Sequence, residues 1–172
     1  MKITPIHPRT PDYPMPFVPA MLVEGARYLF LAGCGPVPLY HKHPHDPELE
    51  RSSFQGGIRE QTRRTFENIE LVLGAAGATL RNVVRVLIFI TDPNLQDEFN
   101  EVYQGYFRDH QPPRTFVSVP ALVHKDMLLE IEVTAALPAG GDGASRPAAR
   151  PRRAARPRAQ AAGTGTPRKA RR

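Results

Sequence analysis

The chain has 172 residues and a formal net charge of +6, which is enough for one domain with a short appendage. Its longest unbroken apolar run, residues 86–90, is far shorter than the roughly 20 residues that a membrane-spanning helix needs. The first residues lack the apolar segment of a secretory signal, and the single cysteine, Cys34, can form no disulfide within the chain. These features exclude a membrane-spanning segment in this sequence and predict a cytoplasmic protein.

The charge is concentrated at the C-terminus. Residues 138–172 contain nine Arg, one Lys and one Asp, but no Val, Ile, Leu, Met, Phe or Tyr. A segment without large apolar side chains cannot form a core, so we expect a folded domain over 1–137 and a disordered basic tail over 138–172. The tail fits either a solubilising extension or a tether for RNA or another acidic partner. It has no aromatic residues on which bases could stack.

The sequence of the first half of the domain predicts two strands and one helix. Residues 1–16 are rich in proline and are expected to lie extended on the surface. The runs AMLVE and RYLFLAG have the composition of strands, and Gly25 and Ala26 between them predict a tight turn. Residues 36–57 lack a clean period and are expected to form a loop. From 57 to 77, apolar residues recur at steps of three and four, which predicts an amphipathic helix.

The sequence of the second half of the domain predicts three strands and another helix. Residues 82–92 are β-branched and nearly all apolar, which is typical of a central strand covered on both faces. Asp92 is a suitable cap for a helix whose apolar positions continue to Phe107. The strands 114–120 and 127–137 follow, and we expect them to pair as a hairpin.

This order, β-β-α-β-α-β-β, predicts an α+β fold with a single mixed sheet and two helices on one face. The helices leave the other sheet face bare. Because an apolar face of that size usually marks an interface, we expect a homo-oligomer in which the bare faces meet.

Arg114 and Glu130 are the main candidates for chemistry. Arg114 follows two prolines at the start of a predicted strand. Glu130 alternates with apolar residues in the last strand. A hairpin of the last two strands would place them near each other. The pair is then either a structural salt bridge or a site in which Arg114 binds an anion and Glu130 acts as an acid, a base or a water-orienting group. A guanidinium suits a carboxylate because it forms two parallel hydrogen bonds.

A metal site is a weaker hypothesis. His41, His43 and His45 occupy alternate positions and could together bind zinc, or they form a solvated loop. No acidic or Cys residue at a diagnostic spacing supports the zinc site, so no metal is expected. Cys34, in the segment AGCGP, is more typical of a buried small apolar residue than of a nucleophile.

The chain resembles the Rid family of reactive intermediate deaminases, also called the YjgF/YER057c/UK114 family. The resemblance covers about residues 14–137, in the segments PFVPAMLVEGARYLFLAG, GGIREQTRRTFENIELVLGAAGATLRNVVRVLIFITD, NEVYQGYF and PPRTFVSVPALVHKDMLLEIEV. It implies a chorismate-mutase-like α+β fold of the bacillus type and a homotrimer with clefts between subunits.

The resemblance also implies a hydrolase acting on C–N bonds, similar to a 2-iminobutanoate/2-iminopropanoate deaminase. Such an enzyme converts small 2-imino acids, or their enamine tautomers, to 2-oxo acids and ammonia in the detoxification of reactive intermediates of amino-acid metabolism. Arg114 falls on the arginine that binds the substrate carboxylate, and Glu130 on the acidic residue that positions water. No cofactor is implied, and the expected partners are the small carboxylate substrate and other copies of this chain.

The chain departs from the family at three positions of the expected pocket. Phe17, Ala32 and Cys34 stand where Tyr, Ser and Gln are common, which favours more apolar substrates. The alternative function is a non-catalytic module that binds a small carboxylate and uses the basic tail for acidic partners or RNA. The substrate-binding residues expected in the pocket are Phe17, Ala32, Gly33, Cys34, Asn100 and Phe116.

Overall fold

The computed structural model describes residues 1–10, 17–42, 44 and 46–140. His43 and His45, two members of the predicted alternating histidine set, lie outside the described residues, as does 141–172 of the predicted tail. No helix in the described ranges combines the length and the apolar character needed to cross a bilayer.

Two short strands form a separate sheet near the N-terminus. β1 (Lys2–Ile6) pairs antiparallel with β2 (Ala20–Glu24). Residues 2–6 are extended, as expected, but their pairing as a strand was not predicted from the sequence. The proline content was misleading, because Pro5 lies in a strand that has a neighbour on one side only, where a missing N–H is tolerated.

The main sheet has four strands in the order β3-β6-β4-β5. Its β4–β5 pair is parallel and its other pairs are antiparallel, so the predicted mixed sheet is confirmed. The strands are β3 (Ala26–Phe30), β4 (Val83–Ile90), β5 (Arg114–Ser118) and β6 (Leu129–Pro138).

Two predictions about strand pairing are wrong. β5 and β6 do not form a hairpin, because β4 lies between them. β5 instead returns parallel to β4 after the helix that joins them, as parallel strands require a crossover connection. The single predicted sheet is in fact two, since β2 and β3, which meet at Gly25, belong to different sheets. Gly25 has a φ of 63°, a left-handed conformation that lets the chain turn there.

Three α-helices lie in the described ranges: α1 (Pro47–Phe54), α2 (Gly57–Ala75) and α3 (Gln96–Phe107). The two predicted helices are α2 and α3. α1 was missed, since it lies in the segment predicted to be a loop. The Asp46 side chain caps it by accepting hydrogen bonds from the backbone N–H groups of Glu48 and Leu49, and Pro47 occupies its first turn.

The core lies between α2, α3 and one face of the main sheet. Alternate strand residues such as Ile88 and Ile131 are fully buried there. β4 is central, as predicted, with β6 on one side and β5 on the other. On the face away from the helices, this chain leaves Leu87 and Phe89 half-buried. That helix-free face also carries Tyr28 and Phe30, which are 51% and 76% exposed.

Candidate active site

Arg114 opens β5 on the side of the sheet that faces the helices, because its register partner Val86 belongs to the buried core. Three aromatic rings surround its guanidinium. The carbon Cζ lies 4.8 Å from the ring centre of Tyr103, 5.6 Å from that of Phe17 and 5.9 Å from that of Phe116. These cation–π contacts fix the position of a charge that has lost much of its water.

Three polar atoms are buried and have no hydrogen-bond partner among the described residues: Arg114 Nη1, Tyr103 Oη and Asn100 Oδ1. Asn100 and Tyr103 are three residues apart on α3 and so lie on the same side of the helix. A buried polar atom without a partner costs about 1–3 kcal/mol, so such a set indicates a place prepared for a ligand. We call Phe17, Asn100, Tyr103, Arg114 and Phe116 the arginine cluster.

The arginine cluster is suited to an anion. Burial lowers the pKa of Arg114, while the nearby Tyr103 acts in the opposite direction. Burial also raises the pKa of Tyr103, against the effect of Arg114, so the Tyr103 hydroxyl keeps its proton at neutral pH and can donate it in a hydrogen bond. A carboxylate would therefore find a cation and a hydroxyl donor together.

Glu130 lies in β6 on the opposite face of the sheet. Its neighbours Leu129 and Ile131 are fully buried, and its register partner Phe89 belongs to the helix-free face. Its carboxylate lies directly against Gly33, since a Cβ added to Gly33 would be 1.8 Å from Glu130 Oε1.

A backbone bridge holds this second group of residues together. The N–H of Cys34 donates to the carbonyl of Ile131 at 2.8 Å, and the N–H of Ile131 donates to the carbonyl of Cys34 at 2.9 Å. The bridge places Ala32, Gly33 and Cys34 beside Glu130, and we call these four residues the glutamate cluster.

The thiol of Cys34 is buried, as its sequence context indicated. Burial raises its pKa, and the charge of Glu130 raises it further. The thiol therefore stays protonated at neutral pH, and its Sγ donates to the carbonyl of Ala32 at 3.5 Å.

The predicted site residues thus form two groups that one chain does not bring together. β4 separates the strands of Arg114 and Glu130, and the two side chains leave the sheet on opposite faces. The predicted convergence of Arg114 and Glu130 within the chain is wrong, and so is the salt bridge between them. The error follows from the predicted hairpin.

Tyr103 is the functional candidate that the sequence interpretation missed. The helical spacing assigned it to the apolar side of α3, which its burial supports. The signal that could have found it is the segment NEVY, in which Tyr103 stands three residues after Asn100.

The glutamate cluster also borders a cavity of about 500 Å³, which we call the side cavity. Its walls come from residues 33–41, from α1, from Asn68 of α2 and from residues 123–130. His41 lies at its edge, with Nδ1 2.7 Å from the carbonyl oxygen of Pro38. Among the described residues, no three His, Cys, Asp or Glu side chains are close enough to hold a metal ion.

Comparison with known proteins identifies the family. Residues 11–137 match the family described as endoribonuclease L-PSP. The chain belongs to this family. It is the YjgF/RutC family, to which the Rid proteins of the sequence resemblance belong.

Relatives with curated names cover most of the domain. The RutC family protein PH0854 of Pyrococcus horikoshii is 36% identical over 127 residues, which are 73% of this chain and 93% of that protein. A protein of Escherichia coli named "Putative reactive intermediate deaminase TdcF" is 38% identical over 81 residues, which are 45% of this chain and 62% of TdcF.

Solved structures show the same fold. The yeast protein YEO7 is 34% identical with a TM-score of 0.54, and the match covers 78% of this chain and 98% of YEO7. YyfB of Yersinia pestis, described as a member of the Rid protein family, is 26% identical with a TM-score of 0.63, and the match covers 80% of this chain and all of YyfB. These matches confirm the mixed α+β fold.

Proposed function

We propose that this chain is a deaminase that hydrolyses 2-imino acids, or their enamine tautomers, to 2-oxo acids and ammonia. The observation that carries the proposal is the arginine cluster, in which Arg114, Tyr103 and Asn100 present buried polar atoms with no partner in the described part of the chain. A guanidinium with a free Nη can bind the carboxylate that every 2-imino acid has. Family membership and the name of TdcF support the same reaction.

The proposed site is shared between two copies of the chain. Arg114 and Glu130 lie on opposite faces of one sheet, so a site that uses both needs Arg114 from one chain and Glu130 from another. The helix-free face supports this arrangement, since it exposes Phe30 and Tyr28 beside the strand that carries Glu130. A closed ring of three chains, each giving one cluster to each neighbour, would hold three such sites.

The residues of the two clusters have separate roles in the proposed mechanism. Arg114 binds the substrate carboxylate with two parallel hydrogen bonds, and the Tyr103 hydroxyl donates to the same anion. Glu130 of the other chain orients a water molecule toward the imine carbon and accepts one of its protons. Holding water and imine in line removes much of the entropic barrier to their reaction.

The chemical steps need no cofactor. The imine reacts in its protonated form: the water oxygen bonds to the imine carbon, the C=N π pair moves to nitrogen, and Glu130 accepts one proton of the water, which gives a neutral tetrahedral carbinolamine. Protonated Glu130 then returns that proton to the amino nitrogen, and the C–N bond breaks with its electron pair going to nitrogen. The remaining hydroxyl loses its proton as the C=O bond forms. One water is consumed and one ammonia is released, without oxidation or reduction.

The test uses imines generated in situ by an amino-acid oxidase. Wild-type protein should accelerate 2-oxo acid release, whereas Arg114→Ala and Glu130→Gln should each lower the acceleration by roughly 100-fold or more. The control is Arg81→Ala, since Arg81 is an exposed arginine that pairs with Asp109 on the surface. Equal traces for wild type and Arg114→Ala over a panel of amino acids would refute the proposal.

Mixing the two inactive variants tests whether the site is shared. Chains carrying Arg114→Ala and chains carrying Glu130→Gln, unfolded together and refolded at equal amounts, should regain about a quarter of the wild-type activity, since about a quarter of the interfaces then combine an intact Arg114 with an intact Glu130. No recovery from a properly assembled mixture would contradict a site built from two chains.

A further inference from the structure

The side cavity differs in character from the arginine cluster. Its volume, about 500 Å³, lies within the roughly 300–1,000 Å³ typical of small-molecule sites. Most of its wall is apolar, from the side chains of Val37, Pro38, Leu39, Phe54, Val123 and Met127. Two of these side chains are exposed at its rim, Leu39 by 37% and Val123 by 92%.

Most polar side chains in the wall already have partners within the chain. The Asn68 amide donates to the carbonyl oxygens of Gly35 and Val37, at 2.9 and 2.8 Å. His124 accepts the backbone N–H of Asp126 at its Nδ1, at 3.1 Å, and its Nε2 lies 3.6 Å from Glu50 Oε2. The polar side chains other than Glu130 are thus occupied by the chain itself.

Glu130 is the exception. None of the hydrogen bonds or ion pairs found in the described ranges involves its carboxylate, which lies against Gly33 in the cavity wall. A ligand in the cavity therefore meets one free polar group in a wall that is otherwise mostly apolar. That arrangement fits a molecule with a polar reacting end and an apolar side chain.

The part of the wall that Phe54 and His124 form is held firmly. The ring of Phe54, at the end of α1, stacks on His124 with 4.2 Å between the ring centres and 12° between the planes. The buried Gln61 joins the same two segments, because its amide donates to the carbonyls of Phe54 and Asp126 and its Oε1 accepts the N–H of Leu128. The cavity is thus preformed, so that filling it requires little ordering of the protein.

We propose that the side cavity binds the side chain of the substrate, and that the preferred substrates are 2-imino acids with a large branched or aromatic apolar side chain. This inference rests on the proposed function, because Glu130 is the group that would activate water at the reacting carbon. Acidic side chains are disfavoured, since no Lys or Arg lines the cavity in the described part of the chain and Glu130 repels a second carboxylate.

The first test compares substrates of one chemistry and different size. Imines generated in situ from alanine, leucine and phenylalanine are given to the full-length protein, and kcat/KM for each is measured. We expect values at least about tenfold higher for the leucine and phenylalanine products than for the alanine product. Calorimetry with pyruvate, 4-methyl-2-oxopentanoate and phenylpyruvate should give the same ranking of affinities without depending on turnover.

The second test fills the cavity. Val37→Trp and, as an independent variant, Leu39→Trp should each lower the ratio of leucine-imine to alanine-imine kcat/KM by about tenfold. The control is Leu71→Trp, since Leu71 is a 66% exposed residue of α2 that does not line the cavity. The control should leave the ratio unchanged. Leu39→Trp keeps the test available if Val37→Trp does not fold, because Leu39 is already partly exposed.

Three further results would contradict the inference, and they can be told apart. Turnover that depends on Arg114 but favours the alanine-derived imine refutes the side-chain subsite and leaves the deaminase proposal standing. Absence of turnover with every imine refutes both. If both tryptophan variants change the mass of the assembly measured by light scattering but not the substrate ratio, a neighbouring chain occupies the cavity and the inference is wrong.

Discussion

Glu130 lies so close to Gly33 that a Cβ at position 33 would be 1.8 Å from the Glu130 Oε1 atom and 2.8 Å from the carboxyl carbon. Gly33 is not among the glycines with positive φ, so its backbone would accept an alanine. Glycine is therefore required here for a steric reason. A side chain at position 33 would overlap the Glu130 carboxylate, which we propose to activate water.

Gly33→Ala should thus displace the Glu130 carboxylate. Because the end of a flexible glutamate side chain can move, we expect the free energy of unfolding to change by less than about 1 kcal/mol, while kcat for imine hydrolysis falls roughly tenfold or more. Urea unfolding and the coupled oxidase assay measure the two effects. The control is Gly74→Ala in α2, where a Cβ would have no neighbour within 4 Å. It should raise stability by about 0.5–1 kcal/mol and leave kcat unchanged. A fully active Gly33→Ala would show that the position of this carboxylate is not critical.

Tyr103→Phe should weaken ligand binding without lowering the stability of the free protein. The hydroxyl it removes is buried without a partner, so the free protein should keep its stability or gain up to about 1 kcal/mol. If the hydroxyl donates to the substrate carboxylate, the Kd for a 2-oxo acid should rise about 3- to 10-fold. Calorimetry and urea unfolding measure both quantities on the same samples.

The matched control for Tyr103→Phe is Tyr106→Phe. Tyr106 lies one turn further along α3, and its hydroxyl donates to the carbonyl of Arg63 at 3.5 Å, away from the arginine cluster. It should leave ligand affinity unchanged. Equal affinity for wild type and Tyr103→Phe would assign the Tyr103 hydroxyl no part in binding.

The elements could largely be predicted from the sequence, but their pairing could not. Helical spacing and β-branched runs identified α2, α3 and the strands of the main sheet. Alternation tells which residues share a face of a strand, but not which strand lies next to it. The connection between β5 and β6 is compatible with a hairpin and with a path that leaves β4 between the two strands, and the local sequence does not distinguish these arrangements.

Most residues of the candidate site could also be predicted from the sequence, whereas their arrangement in space could not. Arg114, Asn100 and Phe17 could be found from their motif context, and the structure places the Phe17 ring against the Arg114 guanidinium. That Glu130 lies on the other face follows from the strand order, which no local pattern specifies. α1 was missed because a helix of eight residues has almost no period, although Asp46 and Pro47 are an ordinary helix start.

Phe30→Glu tests the role of the helix-free face. Phe30 is 76% exposed in the isolated chain, and burying a carboxylate against an apolar partner surface costs several kcal/mol. We expect the mass measured by light scattering to fall to that of one chain. Deaminase activity should be lost at the same time, because Arg114 and Glu130 then no longer meet. The control is Leu71→Glu, in which the same charge is introduced at a 66% exposed residue of α2. A Phe30→Glu protein that stays assembled and active would place the interface elsewhere.

Gln61→Leu should destabilise the wall of the side cavity. Gln61 is 1% exposed, and its side chain makes hydrogen bonds to the backbones of Phe54, Asp126 and Leu128, at 3.0, 2.9 and 2.8 Å. Removing the amide leaves three backbone groups without partners, so the free energy of unfolding should fall by about 2–4 kcal/mol. Urea unfolding measures the loss. Gln104→Leu, an exposed position of α3, is the control and should change stability by less than about 0.5 kcal/mol. A loss no larger than that of the control would mean that these hydrogen bonds contribute little.

The last prediction concerns the pH dependence of Cys34. Its pKa is raised, first by burial and then by the charge of Glu130, so the folded chain holds the thiol proton to a higher pH than the unfolded chain. The associated stability is present below the unfolded pKa and is lost as the pH rises through the folded one. Only the thiolate reacts with iodoacetamide.

At pH 8 the folded protein should therefore be alkylated at least about tenfold more slowly than the same chain in urea, where a thiol has its ordinary pKa of about 8.5. Glu130→Gln removes one of the two causes of the raised pKa, so it should accelerate alkylation of the folded protein. Glu132→Gln, two residues further along the same strand face, should not. Mass spectrometry of the single cysteine follows each reaction. Equal acceleration by Glu130→Gln and Glu132→Gln would indicate a general destabilisation of β6. Alkylation of the folded wild type at the rate of the unfolded chain would contradict the burial of this thiol.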